Sequence, residues 1–235
     1  MHISRRATVA TLSAMLLSPA LVQAQAGYPT KPIRVIVPFA AGGPTDVVAR
    51  TLGQAMTRHL GQTVIVENTV GAGGTIAVNR VARAQPDGYT VLIHHNGMAT
   101  AVALYRRLTF NPLTDFEYVG QVADVPMTLL GKKSLPANTL PELIAYLKAN
   151  KDKVTLANAG LGAVSHLCGM MFMSAIQTDL VTVPYKGTAP AMTDLLGGQV
   201  DLMCDQTTNT STQIEGGKVK AFAVTTGKRL TTPAL

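Results

Sequence analysis

The sequence predicts an α/β fold of two lobes, each built on a mostly parallel sheet flanked by helices, with a ligand cleft between the lobes. Three observations support this prediction. Strand-like and helix-like segments alternate along the chain, two strand-to-helix turns are rich in glycine, and a new series of such units begins near residues 124–126. Alternating strands and helices are typical of parallel sheets, and open sheets of this kind bind ligands at the carboxyl ends of their strands.

The start of the chain has the composition of an export signal. Two early arginines precede an apolar run of small residues at positions 7–22, and residues 24–26 (AQA) match a cleavage site. The apolar run is too short and too weakly flanked to predict a membrane span. We therefore expect residues 1–26 to be a signal peptide and Gly27 to begin the mature protein.

The remaining chain divides into two predicted lobes. Residues 27–125 form lobe 1, residues 126–226 form lobe 2, and residues 227–235 begin a return to lobe 1, which we expect a further segment to complete. We predict strands at residues 33–38, 63–67, 90–94, 116–122, 127–131, 154–158, 180–184, 200–205 and 219–224. We predict helices at residues 45–60, 75–84, 140–149, 163–176, 189–196 and 209–215.

The charge pattern argues against a nucleic-acid partner. There are 20 lysines and arginines against 13 acidic residues, a net charge of +7. The basic residues are scattered in runs of two at most, and the chain has no tryptophan. Nucleic-acid-binding surfaces instead cluster their basic residues. A small organic anion fits this distribution better, and we expect a monomer with no cofactor and no metal.

The first glycine turn joins a buried strand to a helix that we expect Thr45 to cap. The first four N–H groups of a helix lack helical partners and carry partial positive charge, and glycine leaves them open to a ligand because it has no Cβ. Such a turn suits a phosphate or a carboxylate; the alternative is a connection that binds nothing. The candidate residues here are Phe39, Ala40, Ala41, Gly42, Gly43, Thr45 and Asp46.

A second turn repeats the pattern of strand, glycines and helix start. Two such turns in one chain predict the two sides of a cleft. Ser165 and His166 lie in or near the first helical turn, where their side chains can donate hydrogen bonds to a ligand. The candidate residues of the second turn are Ala159, Gly160, Gly162, Ala163, Ser165 and His166.

Three further polar residues are candidates for the middle of the cleft. His95 and Asn96 follow the third strand, and Asp205 ends a strand of lobe 2. Because neighbouring residues on a strand point to opposite faces, His95 and the preceding His94 are not expected to share a metal. The alternative for either histidine is a place in the core.

Motifs for other chemistries are incomplete. The glycine-rich residues 71–76 fail the dinucleotide fingerprint at Ile76, and no phosphate-binding P-loop is present. Ser165 and His166 suggest an exported hydrolase or transferase as an alternative, but adjacent helical residues face different directions and no GxSxG motif surrounds the serine. We therefore expect no catalytic residue.

The two cysteines, Cys168 and Cys204, lie on a predicted helix and a predicted strand of lobe 2. In an exported protein they either form a disulfide or remain two buried thiols.

Several motifs together resemble one family. They are residues 32–39 (PIRVIVPF) with residues 42–46, residues 66–68 with 71–74 and 86–89 (PDGY), and residues 183–191 with 194–201. The combination is similar to the substrate-binding proteins of tripartite tricarboxylate transporters, often called the Bug family, and the similarity extends from about residue 28 to residue 235.

The resemblance implies a periplasmic protein of the Venus flytrap type that closes on a carboxylate and delivers it to a membrane permease. It also implies that residues 39–46 and 159–166 grip the carboxylate through backbone N–H groups and ordered water. A sensing module that docks on a receptor instead of a permease is the alternative. The middle of the cleft varies in the family, so the resemblance says less about His95, Asn96 and Asp205. The identity of the carboxylate stays open.

Overall fold

The structure is a computed structural model that describes residues 27–231. The predicted signal peptide and the last four residues lie outside the described residues. The chain forms two sheets, and we use lobe 1 for the part that carries the first sheet and lobe 2 for the part that carries the second. The observed fold is mixed α/β, as the sequence predicts.

Lobe 1 contains a parallel sheet of three strands in the order β2-β1-β3. Its elements in chain order are β1 (Ile33–Val37), α1 (Pro44–Leu60), β2 (Val64–Asn68), α2 (Thr75–Ala82), β3 (Thr90–Leu92) and α3 (Gly97–Leu104). In the register, Val35 of the central strand lies between Val66 and Val91. Val35, Ile36 and Val37 of β1 are almost fully buried, which explains their apolar run.

Lobe 2 contains a sheet of five strands in the order β6-β5-β7-β4-β8. Its elements are β4 (Met127–Lys132), α4 (Leu140–Asn150), β5 (Thr155–Asn158), α5 (Val164–Ile176), β6 (Val181–Pro184), α6 (Thr188–Leu196), β7 (Leu202–Gln206), α7 (Thr207–Glu215) and β8 (Val219–Val224). The strand β5 is parallel to both neighbours, whereas β4 is antiparallel to β7 and β8. Four of the five strands therefore run in the same direction, and only β4 runs opposite to them.

Both faces of the larger sheet are buried. Leu129, Leu156 and Leu202 pack with residues of α4 and α5 in one hydrophobic cluster. The residue after each of them belongs to a second cluster with α6. Successive side chains of a strand point to opposite faces, so these two clusters lie on opposite sides of the sheet. The predicted arrangement of helices on both sides is thus confirmed for lobe 2.

One predicted strand is absent from the structure, and one observed helix was not predicted. Residues 116–122 form no strand, because an extended segment becomes a strand only by pairing with a neighbour, and these residues pair with neither sheet. The helix α3 was not predicted. Its sequence is apolar or small on all sides, so it lacks the one-sided pattern by which a surface helix is recognised.

A disulfide joins the two cysteines. Cys168 in α5 is bonded to Cys204 in β7, with the Cα atoms 6.1 Å apart. Of the two alternatives left open by the sequence, the disulfide is therefore the one observed. It ties the helix after the second glycine turn to the strand that ends beside Asp205.

The two lobes are in direct contact at the carboxyl ends of β1 and β5. The N–H of Ala40 donates to the carbonyl of Lys186 at 3.1 Å. Phe39 packs with Ala159 and Ala163 in a small hydrophobic cluster that spans the lobes. The two glycine turns consequently face each other across the cleft. Among residues 27–231, no helix has both the length and the apolar character that crossing a membrane requires.

Candidate functional site

The first glycine turn leads into α1, and Gly43 rather than Thr45 is the N-cap of this helix. The helix α1 begins at Pro44 with Gly43 as its N-cap and without a side-chain cap, so the expectation that Thr45 caps the helix is wrong. Proline is favoured at the first helical position because its fixed φ angle suits a helix and its missing N–H costs no hydrogen bond there.

The buried Asp46 carboxylate accepts hydrogen bonds from its own surroundings. The donors are the N–H of Gly42 at 2.9 Å, Nε of Arg50 at 2.9 Å and Nδ2 of Asn68 at 3.0 Å. Burial alone raises the pKa of Asp46, but these donors outweigh burial and hold the pKa below its usual value. Asp46 therefore shapes the turn, and its oxygens are already engaged.

The second turn is held in a similar way by its own side chains. The Oγ of Ser165 accepts the N–H of Ala159 at 2.8 Å, Oδ1 of Asn158 accepts the N–H of Gly160 at 2.9 Å, and Nδ1 of His166 accepts the N–H of Gly162 at 3.4 Å. Burial lowers the pKa of His166. Ser165 and His166 bond to different N–H groups rather than to each other, so this arrangement gives no support to a hydrolase or transferase.

Four helix N-termini converge on one small cavity between the lobes. Its volume is about 20 Å³, and its lining includes residues at or near the starts of α1, α5, α6 and α7. Each N-terminus carries a partial positive charge of about half an elementary charge. Within residues 27–231, no lysine or arginine lines this cavity. The helix termini therefore favour an anion without any lysine or arginine, whereas the Asp205 carboxyl in the same lining opposes one when it is ionised. The lining residues are Phe39, Pro44, Thr45, His95, Met127, Ala159, Ala163, Val164, Ser165, Thr188, Asp205 and Gln206.

His95 lines this cavity with its ring stacked on Phe39. The ring centroids are 4.8 Å apart and the planes 16° from parallel. Burial, with a smaller contribution from His94, lowers the pKa of His95 to about 3, and burial lowers the pKa of His94 to about 4. Both imidazoles are therefore neutral at physiological pH.

The two histidines do not lie on opposite faces of a strand, so that expectation is wrong. Because β3 ends at Leu92, the backbone is free to bring the two rings together edge to face, with centroids 4.8 Å apart. In the described part of the chain, no group of three or more histidine, cysteine, aspartate or glutamate residues is placed to hold a metal ion.

Asp205 brings a buried carboxyl group to the same cavity. Only 1% of the residue is exposed, and its Oδ2 accepts a hydrogen bond from Asn209 at 2.6 Å. Burial raises the pKa of Asp205 to about 6. The buried Thr188 hydroxyl lies beside this carboxyl and opposes the rise of its pKa. The cavity thus contains polar side chains in addition to the helix termini.

A larger cavity of about 570 Å³ lies on the other side of Phe39 and Ala159. Residues 71–74, which fail the dinucleotide fingerprint, form one wall, and Tyr185 and Lys186 contribute to the opposite one. The Tyr105 hydroxyl lies 2.8 Å from the carbonyls of both Ala72 and Leu161 and so bridges the lobes beside this cavity. Burial and the neighbouring Asp194 raise the pKa of Tyr185 to about 12.

A family model described as the tripartite tricarboxylate transporter family receptor matches residues 48–234. The chain belongs to this receptor family. A curated relative from Agrobacterium vitis, the UPF0065 protein in the TAR-I ttuE-ttuC' intergenic region, is 50% identical over 222 residues. The match covers 94% of this chain and 64% of the relative, so the chain spans a little less than two thirds of that protein's length.

Solved structures of family members have the same fold. The periplasmic binding protein BugD is 59% identical with a TM-score of 0.84, and the match covers 86% of this chain and 68% of BugD. MatC (Rpa3494) from Rhodopseudomonas palustris, solved with bound malate, is 41% identical with a TM-score of 0.83, covering 86% of this chain and 69% of MatC. These proteins are binding proteins rather than enzymes, and the chain shares their two-lobe α/β architecture.

In this receptor-family chain, the structure brings many of the predicted site residues together. Those that line the small cavity are Phe39, Thr45, His95, Ala159, Ala163, Ser165 and Asp205. Gly160 lines the larger cavity instead. The remaining predicted residues lie in or near the turns but line neither cavity, and they are Ala40, Ala41, Gly42, Gly43, Asp46, Asn96, Gly162 and His166.

Sequence reasoning missed the contribution of α6 to the receptor-family site. Thr188 follows Gly187 at the start of α6. This is a third strand-glycine-helix turn, with Gly187 at a φ of +143°. The pattern that revealed the first two turns was therefore also present here.

Replacing Asp205 with asparagine is expected to raise the free energy of unfolding by about 2–3 kcal/mol at pH 7.5 and to change it little at pH 4. The pKa of about 6 in the folded chain exceeds the value of about 3.9 for an unfolded aspartate. Folding therefore takes up a proton, and the stability that this provides is complete below pH 4 and is lost as the pH rises through 6. Asparagine stays uncharged and can still accept the bond from Asn209.

Urea unfolding at the two pH values measures this difference. Asp179→Asn is a suitable control, because Asp179 is exposed and does not line the cavity. A less stable Asp205→Asn protein at pH 7.5 would contradict the prediction.

Proposed function

We propose that this chain is a periplasmic solute-binding protein that captures an organic carboxylate between its lobes with main-chain N–H groups and delivers it to the permease of a tripartite tricarboxylate-type transporter. The observation that carries this proposal is the convergence of four helix N-termini on one cavity without a lysine or arginine. A carboxylate is the anion that such a site suits, since it needs a few donors and no full countercharge.

Free N–H groups are available on both sides of the cleft. In the described part of the chain, the first hydrogen bond of α1 comes from Val47 and that of α5 from Leu167. The preceding N–H groups, those of Thr45 and Asp46 in α1 and of Ser165 and His166 in α5, have no acceptor within the described residues. These donors at the helix starts, rather than the N–H groups within the turns, are the ones that we assign to the carboxylate.

The energy of such bonds requires both lobes to take part. A hydrogen bond to a charged group contributes roughly 1.5–3 kcal/mol, so two from one lobe give about 3–6 kcal/mol. Micromolar affinity requires about 8 kcal/mol. One lobe alone is therefore insufficient, and binding is coupled to closure of the lobes around the ligand. The bound malate of the related MatC supports a small carboxylic acid as the class of ligand.

A thermal-shift screen tests the proposal. The panel contains succinate, malate, aspartate, glutarate and benzoate, each paired with its amide. A ligand at 100 times its Kd stabilises the native state by about 2.7 kcal/mol, which raises the Tm of a domain of about 200 residues by roughly 5–10 °C. We expect at least one acid to produce such a shift and its amide to produce none.

The proposal fails if no acid of the panel raises the Tm, or if the amides raise it as much as the acids. Delivery to a permease is tested separately, by whether the loaded protein restores uptake of that acid in cells that contain the permease and lack their own receptor. Binding without uptake would favour the alternative of a sensing module.

A further inference from the structure

We propose that His95 binds the carboxylate as an uncharged hydrogen-bond donor through its Nε2–H, and that the N–H of Gly97 selects the tautomer that makes this donor available. The inference rests on the proposed function. It adds one side-chain hydrogen-bond donor, in the small cavity, to the main-chain donors proposed above.

The tautomer follows from one hydrogen bond. The N–H of Gly97 lies 3.0 Å from Nδ1 of His95, and an N–H group can only donate, so Nδ1 must be the unprotonated acceptor. In a neutral imidazole the proton then resides on Nε2. Protonation of Nδ1 would remove this acceptor, so the Gly97 contact also favours the neutral ring.

The close approach of the ring requires glycine at position 97. A Cβ placed there would lie 2.6 Å from Cε1 and 2.9 Å from Nδ1 of His95, and 2.6 Å from the carbonyl oxygen of Gly162. These separations are well below ordinary van der Waals contact. Gly97 therefore permits both the contact that sets the tautomer and the approach of the second lobe.

The position of the ring directs the donor to the ligand. His95 lines the small cavity, where stacking on Phe39 limits rotation of the imidazole. Among the described residues, Nε2 of His95 has no hydrogen-bond acceptor. The Nε2–H of His95 is therefore free to donate to a ligand atom in a cavity lined by the starts of four helices.

Burial explains why the donor acts without a charge. The pKa of His95 is lowered to about 3, so the ring stays neutral near pH 7 in the folded chain. A neutral N–H donor orients the carboxylate, while the helix termini supply the positive partial charge.

A pair of amide substitutions tests the assignment. The side-chain nitrogen of glutamine can occupy the place of Nε2, whereas that of asparagine reaches only the place of Nδ1. We expect His95→Asn to lower affinity for malate and succinate about tenfold or more, and His95→Gln to stay within about threefold of the wild type. His95→Phe keeps a ring against Phe39 and removes the donor, so it should match the asparagine variant. The exposed His59→Asn is the control for a histidine replacement elsewhere.

Isothermal titration of the unmodified and variant proteins gives the affinities, and the Tm without ligand shows whether each variant folds. If glutamine lowers affinity as much as asparagine, or if phenylalanine binds as well as histidine, the Nε2–H assignment is overturned. If the wild type binds neither these acids nor any acid of the screen, the proposed function itself fails and the assignment falls with it. A loss of affinity that is confined to the asparagine and phenylalanine variants supports the assignment of the Nε2–H as the donor.

Discussion

Replacing Gly73 with alanine is expected to keep the lobes from meeting and to lower ligand affinity by about 10²–10⁴-fold. Gly73 lies in the wall of lobe 1 that touches the second glycine turn, and its φ of +59° is in the left-handed region. A Cβ at this position would overlap the carbonyl oxygen of Leu161 and lie 2.5 Å from the Tyr105 hydroxyl. Because the clashing atom is a backbone carbonyl of the second glycine turn rather than the end of a side chain, the overlap is relieved by separating the lobes.

The size of the effect follows from what separation removes. Without the second lobe, the ligand loses about two charge-assisted hydrogen bonds, or roughly 3–6 kcal/mol, which corresponds to the stated range of affinity. The contact also includes Gly160, whose own Cβ would lie 3.3 Å from Cα of Gly73. Two glycines meeting across the cleft leave no side chain that can move aside.

A matched control separates obstruction from backbone strain. Gly61→Ala introduces the same residue at a φ of +68°, where no atom lies within 4 Å of the added Cβ. Both variants place an alanine in the left-handed region, which costs roughly 1–2 kcal/mol, but only Gly73→Ala blocks the cleft. Titration with malate or another acid from the screen measures affinity, and small-angle X-ray scattering measures closure as a fall in radius of gyration on binding. Equal affinity of the two variants would contradict the prediction.

The features of the site that sequence could predict are local ones. A buried strand, a pair of glycines and a helix start within a dozen residues determine where free N–H groups occur, and this pattern located the turns at residues 39–46 and 159–166. Parallel pairing then brings the carboxyl ends of strands to one edge. No long-range contact was needed for either step, which is why both turns lie at the observed cleft.

The contacts that shape the turns could not be predicted in the same way. Asp46, Asn158 and Ser165 each accept an N–H of their own turn, and such bonds depend on the path of the loop rather than on residue type alone. From the sequence, Ser165 was expected to donate to a ligand, and its acceptance of the Ala159 N–H was not foreseen. The pairing of His95 with Gly97 depends on β3 ending at Leu92, two residues earlier than expected.

The errors in the fold have a common physical origin. Helix α3 is apolar or small on all sides, although only one side of it, with Met98 and Ala101, packs against Val78 and Phe110, so a one-sided pattern could not reveal it. The segment at residues 116–122 has strand-like residues without a strand partner. In both cases tertiary contacts, which a local pattern does not contain, decide the outcome.

Replacing Gly43 with valine is expected to lower carboxylate affinity by about 10²–10⁴-fold while leaving both lobes folded. Gly43 is the N-cap of α1, with φ −80° and ψ 172°, an extended conformation that a β-branched residue adopts easily. Its Cβ would lie 3.3 Å from the carbonyl of Ala40, and 3.8 Å from both the N–H nitrogen of Ala189 and the Thr188 hydroxyl. The two added methyl groups of valine therefore fall between the start of α1 and the start of α6, where the lobes close.

Alanine at the same position provides a graded comparison. Gly43→Ala adds only the Cβ, whose contacts of 3.3 Å or more need a shift of a few tenths of an ångström. We expect it to lower affinity less than tenfold, whereas Gly43→Val should lower it 10²–10⁴-fold, because the methyl groups both cover the N–H groups of α1 and hold the lobes apart. The Tm of each variant without ligand should stay within a few degrees of the wild type. If titration shows valine binding as tightly as alanine, the N-terminus of α1 does not contact the ligand, and the carboxylate must be held by the lobe 2 helices without it.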